Sequence, residues 1–193
     1  MKQQSTHEKL KTMMIISIFT AIICILAQVT IPLPIVPITG QTLAIGLAAT
    51  ILGSRKGTLA VGLYLILGAV GLPVFAGMSG GVGIIVGPTG GYLLSYLPVA
   101  FLTGFLLEKT KFTIFNAILA NILGMILTLV LGTLWLKVTL SLTWTAAFYS
   151  GSAPFILVGL IKAFLAGYLG ITVYQRLKSA RLLPVNTKKS GSY

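Results

Sequence analysis

The sequence predicts an all-α integral membrane protein, a compact six-helix transmembrane bundle with both termini cytoplasmic and irregular extracellular loops covering a substrate pocket. Three observations carry that expectation. Of 193 residues, 56% are hydrophobic and only 8% are charged, against about 25% charged in soluble domains. The apolar residues gather into runs close to the roughly 20 that a spanning helix needs. Between two of those runs lies residues 71–93, GLPVFAGMSGGVGIIVGPTGGYL, which holds eight of the chain's 22 glycines and two of its prolines, and therefore cannot be one continuous helix.

The spans follow in order. A polar, basic segment, 1–11, leads into an apolar run over 12–31. That run has no small-x-small cleavage site and is expected to be a retained first helix. Ser17, Thr20, Ala21, Cys24 and Gln28 recur on it at helical spacing as one stripe of small and weakly polar side chains, a helix-packing face. Residues 31–40, IPLPIVPITG, carry three prolines and predict an extended connection without a regular ladder. The helix expected over 41–52 is only about 18 Å long, well short of a ~30 Å hydrocarbon core. A tight basic turn at 53–56 sends the chain back over 57–70, so that these two helices form a hairpin. Further spans are expected over 90–107, 112–135 and 154–175, with a charged turn at 108–111. An apolar loop between the last two carries Trp144 and Tyr149, as in an interfacial aromatic belt. No internal repeat stands out, so an inverted-repeat transporter is not expected.

Charge sets the orientation. Twelve of the 14 lysines and arginines fall on one side of a six-span arrangement, and the positive-inside rule makes that side cytoplasmic. The proline loop, the glycine-rich stretch and the Trp144 loop then cluster outside. The whole chain, 1–193, reads as a single membrane domain: a cytoplasmic segment 1–11, a bundle over 12–175, and a basic cytoplasmic tail over 176–193, expected to be disordered beyond Pro184.

Irregular backbone at membrane depth must have its N–H and C=O groups satisfied by protein, water or ligand. The stretch 71–93 is thus either a lid packed on the bundle or a wall whose glycines let backbone approach a small molecule closely. Its position beside an unusually short helix points toward a binding site.

The charged residues narrow the chemistry. Glu8 and Glu108 are the only acids, neither inside an expected span, and His7 lies in a polar tail. Paired catalytic carboxylates and intramembrane acid relays are therefore excluded. A single cysteine, Cys24, excludes an intrachain disulfide and a multi-cysteine metal site. With no GxxxxGK[ST] the chain is not itself a P-loop ATPase. Its net charge of +12 lies at span ends rather than on one polar face, which argues against nucleic acid. An intramembrane enzyme would need a nucleophile with a base, or a metal site, and the spans offer neither.

Lys137 follows Trp135 at a span end, where its side chain can snorkel to water. Lys162, in APFILVGLIKAFLAG, is different: it lies two turns into the last span with no acid in the outer half to neutralise it. An anionic ligand entering from outside would supply the counter-ion; partial snorkelling or deprotonation is the alternative. Asn121 lies mid-span and is either interhelical glue or a ligand contact. Gln41 opens the short helix beside the proline loop. Thr89 and Tyr92, in GPTGGY, bring hydroxyls to a helix N-terminus, which favours anionic or carbonyl oxygens. Ala163 with Gly167, and Ala166 with Gly170, are small-xxx-small packing pairs.

VPITGQTL (36–43), the stretch 71–93 and PF…LIKA (154–163) together resemble the BioY family, the biotin-specific substrate-binding S components of energy-coupling factor (ECF) transporters. The resemblance covers about 11–176, and GPTGGYL is its specific element. It implies a protein of the prokaryotic cell membrane that captures biotin outside and docks on one transmembrane coupling protein and two ATPase subunits, transporting by toppling in the membrane. No cofactor is implied, since biotin is the transported ligand, and no catalysis. In that family a small-xxx-small motif on the first helix meets the coupling protein; Ser17 and Ala21 match it here, serine replacing the usual alanine. The sixth-helix lysine matches Lys162, whereas the aspartate usual three residues earlier is Gly159, which leaves Lys162 for the ligand carboxylate. A flat, largely apolar bicycle with a ureido group and one carboxylate suits a pocket of glycine backbone, aromatic faces, neutral hydrogen bonders and one cation. The expected substrate-binding set is Lys162, Gln41, Phe75, Gly80, Gly81, Gly87, Pro88, Thr89, Gly90, Tyr92, Asn121 and Tyr149. A stand-alone facilitator for biotin or another small anion, acting without ATPase partners, is the alternative transport reading.

Overall fold

The computed structural model describes residues 6–180, 182 and 183. The tail beyond Pro184 and the basic residues Lys2, Arg181, Lys188 and Lys189 lie outside the described residues.

The first helix, α1 (Thr6–Ala27), starts before the apolar run because THEKLK holds neither glycine nor proline and is rich in good helix formers. It stops at Ala27, short of the expected end, because the chain then turns into a strand. Here the structure corrects the expectation of a connection without a ladder. β1 (Thr30–Ile31) pairs antiparallel with β2 (Ile38–Thr39), Thr30 opposite Thr39 and Ile31 opposite Ile38. Pro32, Pro34 and Pro37 all fall in the turn between the paired residues, so the prolines remove no N–H that the ladder uses.

Helix α2 (Gln41–Ala69) is broken at Gly53, whose φ of 79° and ψ of −177° lie outside the helical region. At that φ an L side chain is strained and glycine is not. The break folds the chain back on itself: Gly57 packs against the backbone of Ala48 and Ala49, residues that a straight helix would hold about 12 Å away. The expected hairpin is therefore present, but its turn is one residue, and Arg55 and Lys56 are already helical. Glu108 caps the new helix start, accepting from the Ser54 N–H and from its hydroxyl, each at 2.8 Å.

After α2 the glycine-rich stretch makes turns, a single bridge between Phe75 and Ser79, and the short helix α3 (Val82–Val86). Then come α4 (Gly90–Lys109), α5 (Ile114–Thr139), α6 (Trp144–Gly151) and α7 (Ala153–Ser179). The Trp144 loop thus contains a helix of its own. In the packing, α4 lies between α2 and α5, α7 contacts both α2 and α5, and α1 lies against α2.

Four segments are long and apolar enough to cross a membrane: Thr6–Ala27, Gly90–Lys109, Ile114–Thr139 and Trp144–Ser179. The two halves of α2 are shorter. Small residues allow the close approach that holds helices together in lipid: Ala44, Ala48, Ala49, Ala60 and Ala100 are fully buried. Large apolar side chains such as Met14, Ile25, Ile66, Phe115, Leu157 and Phe164 face outward, as expected of surface that contacts acyl chains.

The polar ends gather. Lys56 at the break in α2 lies within electrostatic range of Glu8, Glu108 and Lys11, and Phe112 stacks on Tyr174 with ring centroids 4.4 Å apart. The start of α1, the end of α4, the start of α5 and the end of α7 therefore share one end of the bundle. The β-hairpin, the glycine-rich stretch and α6 occupy the other.

Candidate functional site

At that second end the bundle encloses a cavity of about 220 Å³. Its walls come from β2 and the first half of α2, from the glycine-rich stretch, and from α4, α5 and α7.

The short first half of α2 starts where β2 ends, which sets Gln41 at the cavity wall. Gln41 is only 4% exposed, and both polar atoms of its amide are engaged. Its Nε2 donates to the Tyr64 hydroxyl, and its Oε1 accepts from the Thr39 hydroxyl at 3.0 Å and from the Tyr96 hydroxyl at 3.2 Å. Buried polar groups joined this way hold one another in place, so β2, α2 and α4 are locked together by the polar groups that line the cavity.

Phe75 enters from the glycine-rich stretch because Gly68 leaves room: a Cβ there would overlap the Phe75 ring. The ring meets Tyr64 edge-on at 5.4 Å and is almost fully buried. Its backbone is held by Gln28, from the turn after α1. Gln28 Nε2 donates to the carbonyls of Val74 and Phe75 at 3.2 and 3.1 Å, while its Oε1 accepts from Met78 N–H at 2.9 Å. Other N–H groups of the stretch are met by the end of α2, Leu72 donating to Leu67 O and Gly81 to Gly68 O. Protein thus satisfies irregular backbone as the bilayer demands, and the stretch both covers the bundle end and lends Phe75, Ala76, Ser79, Ile84 and Thr89 to the cavity wall.

Lys162 reaches the cavity from α7, about 14 Å along that helix. Its Nζ donates to the Thr39 carbonyl at 2.6 Å. No carboxylate among the described residues accompanies it, because the two glutamates sit at the opposite end and the sequence has no aspartate. An ammonium has three donors and no acceptor, so two remain for a ligand once Thr39 has taken one.

Of the twelve residues expected to bind substrate, Lys162, Gln41, Phe75, Thr89, Tyr92 and Asn121 line the cavity. Besides Gln41, two of these are already committed. The Tyr92 hydroxyl donates to Gly151 O at 2.7 Å, and both amide hydrogens of Asn121 are used, toward Ala117 O at 2.8 Å and Thr50 Oγ1 at 3.0 Å. Asn121 is therefore interhelical glue that also shows a face to the cavity.

The structure does not bring Gly80, Gly81, Gly87, Pro88, Gly90 or Tyr149 to the wall. The glycines build the loop instead: Gly81 has φ +97°, and Cβ atoms on Gly80 and Gly90 would strike the carbonyls of Leu72 and Ile85. Gly87 offers its carbonyl to the Trp135 indole N–H at 2.9 Å. Tyr149 is 67% exposed and packs edge-on against Phe148. Lys137, read as snorkelling, lies 4.7 Å from the Trp144 ring centroid, a cation–π contact.

Sequence reasoning missed Thr39, Tyr96, Met125, Thr128 and Phe155, and read Gly159 only as the place of an absent aspartate; all six are on the wall. Helical spacing was the signal: Tyr96 is one turn from Tyr92, Met125 and Thr128 are one and two turns from Asn121, and Gly159 and Phe155 are one and two turns from Lys162.

Apolar helices wrapped around a cavity that holds one cation, a neutral polar network and four aromatic side chains define a multi-pass membrane protein with a small-molecule site. The BioY family model matches residues 1–179, and the chain belongs to that family. It is 42% identical over 171 residues to the biotin transporter BioY2 of Lactococcus lactis subsp. cremoris, covering 89% of this chain and 94% of that one. To the biotin transporter BioY of Rhodobacter capsulatus it is 40% identical over 183 residues, covering 87% and 95%. A crystal structure of the S-component for biotin from an ECF-type ABC transporter superposes with a TM-score of 0.84 at 32% identity, covering 90% of this chain and 95% of that one.

Proposed function

We propose that this protein binds biotin with high affinity and is the substrate-binding S component through which an ATP-driven ECF module takes the vitamin up. The observation that carries the reading is a lone ammonium, Lys162, on the wall of an otherwise neutral and aromatic cavity, in a chain whose relatives are biotin transporters. In this reading the valerate carboxylate accepts the two Lys162 donors that Thr39 leaves over. The bicycle lies among Phe75, Tyr92, Tyr96 and Phe155, and the ureido group meets the Gln41, Thr39 and Tyr96 polar atoms, whose bonds rearrange to receive it. Burial of the apolar ring and a charge-assisted contact in one cavity support tight binding.

The basic end of the bundle is cytoplasmic, the cavity end opens outward, and both termini lie inside a six-span arrangement in which the two halves of α2 form one hairpin. Residues 1–193 act as one membrane domain with no catalytic group and no cofactor. Partner docking falls on α1, where Ser17 and Ala21 are exposed while Thr20, between them, is buried. A coupling protein helix could then approach closely over the small pair, and the two ATPases would bind beyond it.

The test is direct. The full chain purified in nanodiscs should retain biotin detectable by mass spectrometry, and after ligand removal should bind it in calorimetry with one site per chain. A different retained molecule, with no heat from biotin, would contradict the reading. Uptake into vesicles only when coupling and ATPase subunits are present separates an S component from a stand-alone facilitator.

A further inference from the structure

Asn121, on α5, spends its nitrogen outside the cavity. Nδ2 donates to Ala117 O at 2.8 Å and to Thr50 Oγ1 at 3.0 Å, and neither Ala117 nor Thr50 is on the wall. The Ala117 carbonyl only accepts, so the amide is held in one orientation; turning it over would set oxygen against oxygen. Asn121 itself is 93% buried and belongs to the wall. With both hydrogens committed elsewhere, the polar atom it leaves to the cavity is Oδ1, which accepts from none of the described residues.

Two further observations set that oxygen apart. Gly46, also on the wall, lies directly against it, and a Cβ at Gly46 would overlap Oδ1, so the missing side chain keeps the acceptor uncovered. Gln41 and Asn121 are the two wall residues with a side-chain carbonyl, and Gln41 Oε1 already accepts from the Thr39 and Tyr96 hydroxyls. Asn121 thus offers a fixed acceptor with free lone pairs, where a ligand N–H is the natural complement.

We propose that Asn121 is a specificity-determining residue whose Oδ1 accepts one ureido N–H, so that the site selects cyclic ureas with a free N–H at that position. This rests on the biotin reading above, in which the ureido group meets the Gln41 network. Gly46 lies about 7.5 Å along α2 from Gln41, and a urea oxygen received at one end with an N–H given at the other spans about 8 Å between its two partners. A buried polar group made to receive a donor rejects the analogue that lacks it.

The test measures binding of biotin and its two singly N-methylated ureido isomers to the full chain in nanodiscs. At least one isomer should bind the parent tenfold or more weakly than biotin. Asn121→Ala should weaken biotin roughly ten- to a hundredfold and narrow the gap to that isomer to about threefold or less. Thr50→Val removes the bond between α2 and α5 but leaves Oδ1 in place, still oriented by Ala117 O; it should keep biotin within about threefold of the parent and preserve the gap. Isomers that bind the parent as well as biotin does would overturn the assignment, as would gaps that persist unchanged in Asn121→Ala. An equal loss of biotin in Thr50→Val would also overturn it, by assigning Asn121 to helix packing alone. If Asn121→Ala does not fold, Asn121→Leu, of similar volume and without an acceptor, decides between the same results. Failure of biotin to bind the parent would strike the functional reading instead; with biotin bound, the isomer comparison bears on Asn121 alone.

Discussion

Lys162 and Thr39 are 123 positions apart in sequence, and the ammonium of one donates to the backbone carbonyl of the other at 2.6 Å. This contact ties α7 to the end of β2, and through the Thr39 hydroxyl to the Gln41 network. A charge at membrane depth costs at least ~2.5 kcal/mol unless it is compensated, and one neutral carbonyl is partial compensation. The Thr39 carbonyl alone thus leaves the electrostatic complement of Lys162 incomplete. In the reading proposed above, an incoming carboxylate completes it, at a lysine whose Thr39 contact already reaches the β-hairpin.

The break in α2 predicts a sharp cost for one methyl group. Gly53→Ala places an L residue at φ +79° and its Cβ 2.5 Å from Glu108 Oε1, displacing the carboxylate that caps Ser54. Strained backbone of this kind costs about 1–3 kcal/mol, and the weakened cap adds to it. Thermal unfolding of purified protein should show a clear drop for Gly53→Ala. An unchanged midpoint would mean that the hinge tolerates a right-handed alternative.

On α1, neighbouring residues separate two roles. Thr20 donates from its hydroxyl to Ala60 O at 3.0 Å in the core, whereas Ala21 is on the outer face. Ala21→Leu should therefore leave biotin binding and thermal stability intact but abolish ATP-driven uptake by the assembled transporter. Thr20→Val should lower stability by about 1 kcal/mol, the worth of a lost hydrogen bond. Parallel loss of binding and uptake in Ala21→Leu would make that face internal packing.

Orientation is open to labelling in intact cells, with Cys24 replaced by serine. Met78 is 66% exposed at the cavity end of the bundle, and Arg55 is exposed at the basic end. A membrane-impermeant maleimide added outside should modify Met78→Cys and spare Arg55→Cys. The reverse pattern would invert the topology.

How much of this was legible depended on what each residue has to do. Lys162 stood out because a lysine deep in an apolar span needs a reason. Gly53 announced a break because it opens Gly-Ser-Arg-Lys between two apolar runs. Phe75 was readable as an apolar side chain among glycines. By contrast Gly80, Gly81, Gly87 and Gly90 were read as backbone open to a ligand, yet their freedom is consumed in folding the loop, and sequence does not separate a glycine needed for φ from one needed for space. Tyr149 lies off the wall, and an aromatic near a span end suits a pocket and an interface equally well. Tyr96, Met125 and Thr128 are ordinary residues within helices, and only their spacing from Tyr92 and Asn121 marks the shared face. The β1–β2 ladder, two residues on each side, is too short to leave an alternating pattern.

The account turns on Lys162 as the partner of a ligand carboxylate, and one cycle of binding measurements tests that most directly. Lys162→Met keeps length and apolar volume while removing the charge. A charge-assisted contact is worth about 1.5–3 kcal/mol, so biotin affinity should fall roughly ten- to a hundredfold. Biotin amide, which carries no charge, should bind Lys162→Met nearly as well as it binds the parent, giving a large coupling between the mutation and the carboxylate. An equal loss for biotin and its amide would contradict the account, and would assign Lys162 to holding Thr39 rather than to reading the ligand.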